Sequence, residues 1–239
     1  MVATLCIHTL SFIALTSTLT VSLTQFPWLT WALVGWAVHH CAPHGADWIR
    51  PGWWAWFEAT KLLSVLAGLA TITWFNLRHE PSGSEHTALA VVFAVNIAVA
   101  IVSEITRGAM FAPNALVGAL LLAWIPFDLS PVYVALYTAW NATFTYGLGY
   151  SWSTRLILVP PIVASILLGS CNFWLPARCV SLVLNMVLRA TETSDFYTPG
   201  KTFITQARPQ PDPRVYLAMA LCTSCFAACY AASGDRGTP

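Results

Sequence analysis

The first forty residues contain no Asp, Glu, Lys or Arg, and the apolar run from about Thr87 to Thr106 contains one, Glu104. A segment that crosses lipid must satisfy its backbone hydrogen bonds internally, which leaves helices and closed barrels. Apolar runs of about 20 residues select the helix. Soluble domains carry roughly 25% charged residues, whereas this 239-residue chain carries 9% and is 57% hydrophobic. The expected fold is all-α: a polytopic transmembrane helix bundle of about seven to nine spans, with residues 1–239 forming one domain. A net charge of +1 offers no electrostatic footprint for nucleic acid.

Taken in order, Pro27 divides the opening stretch into two spans, roughly 4–22 and 27–40. The absence of a basic leader segment makes the first a retained span. Pro51 and a cluster of Trp53, Trp54 and Trp56 open a span to about Trp74, with the Trp residues as interfacial anchors. Arg78 to Glu85 reads as a loop, followed by the span 87–107. A short span is expected at 114–127, a further span at 131–149, and an apolar run at 154–170 kinked at Pro160-Pro161. Spans at 174–190 and 214–232 follow, separated by a polar connection at 191–213. Alternating the spans places Arg50, Arg107, Arg155, Arg189, Lys201, Arg208 and Arg214 on one side and Arg78, Arg178 and Arg236 on the other. The excess of basic residues makes the first side, and the 191–213 connection, cytoplasmic.

Ionisable groups within spans mark candidate functional sites. Glu104 is the leading one. Asn96 precedes it by eight residues, about 80° around a helix, so the two are expected on one wall of a cavity. A carboxyl kept from water favours its uncharged form and can donate a proton. The competing reading pairs Glu104 with Arg107, one turn on. Glu58 is a second candidate acid, unless Lys61 neutralises it at i, i+3, and Asp128 is a third. Tyr137, Trp140, Asn141, Phe144 and Tyr146 concentrate aromatic faces and polar tips within three turns. Such faces attract cations; the alternative is helix packing with Asn141 as interhelical polar glue. Asn185, mid-helix, joins Asn96 and this cluster as a candidate substrate contact.

Other chemistries lack their signatures. No Asp-rich DDxxD or DxDD run, GxGxxG, P-loop, GxSxG or HExxH occurs. His40 and His44 have i, i+4 spacing, but Pro43 breaks the helix that a metal pair would need. Cys222, Cys225 and Cys229 have no companion ligands and read as small packing residues. No metal or cofactor is therefore expected.

Asn96-Ile97 with Glu104, Asn114 opening a short segment, and Tyr137-x-x-Trp140-Asn141-x-x-Phe144-x-Tyr146 resemble a family of small bacterial multi-pass membrane proteins. The plan is also similar to that of membrane-bound terpene cyclases: the bacterial drimentine-type enzymes of indole-terpenoid pathways and, more distantly, the fungal meroterpenoid cyclases. The fungal group carries Trp immediately before the glutamate, whereas Ser103 stands there in this chain. The resemblance implies a bacterial cytoplasmic-membrane enzyme that cyclises a farnesyl-type chain on an aromatic or indole compound by protonation, without metal. Glu104 would be the acid, and the partners would be a lipophilic prenylated substrate and membrane lipid. Two alternatives stand beside it: a small transporter or lipid-binding channel using Glu and Asn as a relay, and a scaffold without catalysis.

Overall fold

The structure is a computed structural model that describes residues 2–41, 53–78, 82–125, 129–149, 156–193 and 211–233. Among these residues every regular element is helical. Helices α1 (Val2–Gln25) and α2 (Pro27–Cys41) meet at Phe26, with Pro27 at the first position of the second helix, where its missing N–H costs nothing. The many threonines of α1 do not interrupt it. Thr20 and Thr24 return their hydroxyl protons to the carbonyls of Thr16 and Thr20, each at 2.7 Å, so these polar groups are satisfied within the helix.

Helix α3 spans Trp53–Arg78, and α4 spans Ser82–Ile105. The expected loop from Arg78 to Glu85 is thus shorter, and Glu85 stands on the first turn of α4. A tight turn follows α4. Gly108 adopts φ 115° and ψ 174°, a conformation reserved for glycine. It leads through a 3-10 turn, Ala109–Phe111, into α5 (Ala112–Trp124), and α5 packs back along α4. Helix α6 spans Pro131–Gly147. It starts with Pro131 at its first position and Ser130 as cap, whose Oγ accepts from the Tyr133 N–H at 3.2 Å.

Helix α7 is only Val159–Leu167. At 1.5 Å per residue it is about 14 Å long, too short to cross a bilayer. Pro160 and Pro161 lie in its first turn, where backbone N–H groups have no intrahelical partner. They begin this helix instead of kinking a longer one. A second 3-10 turn, Cys171–Phe173, precedes α8 (Trp174–Thr193), and α9 spans Pro213–Ser233. Most of the 191–213 connection lies outside the described residues.

Among the described residues three helical segments are long and apolar enough to cross a membrane: Ala59–Arg78, Glu85–Ile105 and Pro213–Ser233. The α4 segment packs at the centre, between α3 and α5 with further contact to α8, while α9 lies against α5 and α6. Tyr216, Ala220, Thr223 and Ala227 form the buried stripe of α9. That stripe turns Cys222, Cys225 and Cys229 outward, and all three are exposed instead of packed inside as their small apolar character suggests. Large apolar side chains including Leu63, Trp74, Val91, Val102 and Leu221 are also exposed. Outward apolar faces of this extent suit a lipid surround.

Candidate functional site

The last turn of α4 places Glu104 inside the bundle, 1% exposed. The Gly108 turn brings α5 back so that Asn114 meets it. Asn114 Nδ2 donates to Glu104 Oε1 at 2.7 Å. From the far end of the chain, the first turns of α9 bring Tyr216, whose hydroxyl donates to the same oxygen at 3.1 Å. The second carboxyl oxygen, Oε2, is buried without a hydrogen-bond partner, as is Oδ1 of Asn114. The carboxyl is therefore fixed by two donors on one oxygen, leaving the other available.

Gly147 allows this approach. A Cβ there would stand 2.6 Å from Tyr216 Cε2 and 3.2 Å from Phe111 Cε1. Tyr216 packs edge-on against Phe111, with centroids 4.8 Å apart. Arg107, the alternative partner for Glu104, directs its guanidinium to the Gly147 carbonyl and lies 4.0 Å from the Phe111 ring centroid.

Asn114 also connects the acid to the aromatic cluster. Its backbone carbonyl accepts from Trp140 Nε1 at 2.9 Å. Trp140 stacks on Phe144 at 5.9 Å and lies 5.5 Å from Tyr137. Tyr137 meets Trp174 edge-on at 4.8 Å and accepts from Asn141 Nδ2 at 3.2 Å. Trp140, Asn141, Tyr137 and Phe144 are thus brought together, one helix away from Glu104.

Asn96 belongs elsewhere. Its side chain faces α3, accepting from Lys61 Nζ at 2.6 Å and donating to Ser64 Oγ at 2.9 Å, while Glu104 faces α5 and α9. The expected common wall is not formed, because the rotation between the two positions directs them to different neighbouring helices. Lys61 bridges the regions instead: its ammonium lies 5.4 Å from the ring centroids of both Phe57 and Phe144. Tyr146 is separate from the cluster as well. It is half-buried, and its hydroxyl accepts from the Asp212 N–H at 3.1 Å. Asn185 is half-buried on α8. The Glu58 side chain and all of Asp128 lie outside the described residues.

Sequence reasoning missed Tyr216, Ser64, Trp174 and Arg178 as parts of the interior. Tyr216 is 112 residues from Glu104, so no local spacing could link them. Arg178, assigned by span counting to a membrane side, is 3% exposed. Its guanidinium lies 5.8 Å from the Tyr137 ring centroid, with Nη1 donating to Ser181 Oγ at 3.4 Å and Nε lacking a hydrogen-bond partner among the described residues. Among the described residues no group of three or more His, Cys, Asp or Glu converges as a metal site.

Two of the cavities among the described residues flank this interior. One, of about 590 Å³, is a groove between α3 and α4 lined by Trp56, Phe57 and Thr60 on one side and Val99, Val102 and Ser103 on the other. The other, of about 490 Å³, opens at the opposite end of α4, beside Glu85 and His86. No protein-family model, curated protein or solved structure matches this chain.

Proposed function

We propose that the chain is a multi-pass membrane terpene cyclase acting by protonation on a linear prenyl chain, of farnesyl type, carried by an aromatic or indole compound. The carrying observation is the Glu104 carboxyl: buried, held through one oxygen by Asn114 and Tyr216, with the second oxygen free of hydrogen bonds. An acid presented in this way transfers a proton from that oxygen to a terminal alkene carbon. The alkene π electrons form the new C–H bond, the next double bond closes a ring onto the cation, and loss of a proton ends the sequence. The product is an isomer of the substrate. The Tyr137–Trp140–Phe144 faces stabilise positive charge as it moves, and the dry interior protects it from water.

In this reading the substrate enters sideways through the α3–α4 groove. Phe57 lines that groove and packs against Phe144 at 6.2 Å, so displacement of one ring connects lipid with the aromatic cluster. The cluster is closely packed, and substrate binding requires its rings to part.

The test is an assay on membranes carrying the wild-type chain or Glu104→Gln, given farnesylated and geranylgeranylated aromatics without added metal. The expected result is a product of unchanged mass and altered chromatographic retention from wild type, lost in Glu104→Gln. A wild-type activity that Glu104→Gln retains in full removes Glu104 from the acid role.

A second reading, a polar relay in a small transporter, draws on the Lys61–Asn96–Ser64 network. Intramembrane ionisable groups of this kind mark ion and proton pathways. Solute flux into proteoliposomes that Asn96→Leu abolishes would select it.

A further inference from the structure

The cavity at the far end of α4 lies outside the proposed cyclase site and draws its walls from four parts of the fold. Thr24 comes from the last turn of α1, Asn76 from the last turn of α3, Glu85 and His86 from the start of α4, and Ser170 and Asn172 from the turn before α8. Ile72, Leu89, Phe173 and Pro176 supply its apolar surface. Its volume of about 490 Å³ lies within the usual range of small-molecule sites, roughly 300–1,000 Å³.

The polar side chains lining this cavity include one carboxyl and no Lys or Arg. Asn76 gives one of its two amide N–H groups to the Ile72 carbonyl at 2.9 Å, which leaves the other N–H and the side-chain oxygen, an acceptor. Thr24 uses its hydroxyl proton on the Thr20 carbonyl, which leaves oxygen lone pairs. The half-buried Glu85 carboxylate makes no hydrogen bond or ion pair to a described residue, and it supplies two further acceptor oxygens. Beside these, Ser170 accepts the Asn172 backbone N–H at 3.1 Å and keeps its own hydroxyl proton, and the Asn172 side-chain amide and the His86 ring carry further donors. Glu85 is thus the one carboxyl of the lining, with no Lys or Arg beside it, and an aromatic ring and aliphatic side chains complete the wall. We infer that this cavity binds a small amphiphilic primary amine, with the ammonium directed to Glu85, Asn76 and Thr24 and its apolar body against Ile72, Leu89 and Phe173. An ammonium brings three donors and one positive charge, which matches the available acceptors and the carboxylate. Charge-assisted bonds of this kind are roughly twice as strong as neutral ones.

The experiment uses the full chain in lipid nanodiscs and equilibrium dialysis with three probes of similar skeleton: 2-phenylethylamine, 2-phenylethanol and 3-phenylpropionate. Partition into empty nanodiscs is subtracted. The amine is expected to bind at least about tenfold more tightly than the alcohol, and Glu85→Gln is expected to remove most of that preference. Glu104→Gln, at the other end of the bundle, is expected to retain it. The inference is overturned if the amine binds no more tightly than the alcohol, if the carboxylate binds best, or if a folded Glu85→Gln keeps the amine preference. The wild-type comparison decides by itself should Glu85→Gln fail to fold.

Discussion

At the residue scale, the Glu104 arrangement depends on a missing side chain as much as on those present. Tyr216 reaches the carboxyl because Gly147 has no Cβ to meet its ring. Gly147→Ala places a methyl 2.6 Å from Tyr216 Cε2, with Phe111 closing the other side. Overpacking of this kind costs about 1–3 kcal/mol. The expected result is a loss of that size in detergent unfolding, accompanied by displacement of Tyr216 from Glu104. Tyr216→Phe provides the comparison: it keeps the ring and removes only the donor, at about 1 kcal/mol. A double-mutant cycle between the two separates steric displacement from loss of the hydrogen bond. Non-additivity is expected, because each change acts on the same contact; strict additivity would show that Gly147→Ala leaves Tyr216 in place. Glu104 itself was legible in the sequence as a carboxylate in an apolar run. Asn114 was visible only as the opening of a short segment, and Tyr216 had no local signal, since a contact across 112 residues is made by helix packing alone.

At the element scale, the turn after α4 determines whether α5 can supply Asn114. Gly108 at φ 115° and ψ 174° occupies a region that costs a residue with a side chain on the order of 1–3 kcal/mol. A Cβ built on Gly108 has nothing within 4 Å, so Gly108→Ala tests backbone conformation without a clash. The expected outcome is a loss within that range, with faster amide exchange at the start of α5; unchanged stability and exchange would show that the turn adapts freely. The sequence also announced helix positions better than helix roles. Pro27 and Pro131 stand at helix starts as expected. Pro160-Pro161 has the same chemistry, yet it suggested a kink because the apolar run around it looks continuous. Hydropathy does not report where a helix begins inside such a run. Asn96 shows the corresponding limit for facing: its angle to Glu104 was calculable, but the helices filling the two directions were not.

At the scale of the whole molecule, the direction in which the bundle sits can be argued from its two ends. Glu85 and Glu104 are nineteen residues apart on α4, about 28 Å along the axis at 1.5 Å per residue, close to the roughly 30 Å hydrocarbon core. Glu85, Asn76, Asn172 and the end of α3 at Arg78 gather at one end; Glu104, Arg107, Asp212 and Arg214 gather at the other. Arg107 and Arg214 belong to the group that charge counting assigns to the cytoplasm, and they lie at one end of the bundle. The buried Arg178 drops out of the count, because a guanidinium against Tyr137 inside the bundle no longer represents a loop charge. The expected topology therefore has the Glu85 cavity facing outward and the Glu104 end facing the cytoplasm. Single cysteines at Asn172 and Asp212, both exposed, test it on a background with the native cysteines replaced. A membrane-impermeant maleimide should label Asn172→Cys in intact cells and Asp212→Cys only after permeabilisation. The reverse pattern would invert the orientation, and labelling of both in intact cells would place the two ends on one side and remove the span of α4. The expected pattern also constrains access for the two proposals: an amine would reach the Glu85 cavity from outside, while a prenylated substrate would reach Glu104 through the α3–α4 groove from the membrane, near its cytoplasmic face.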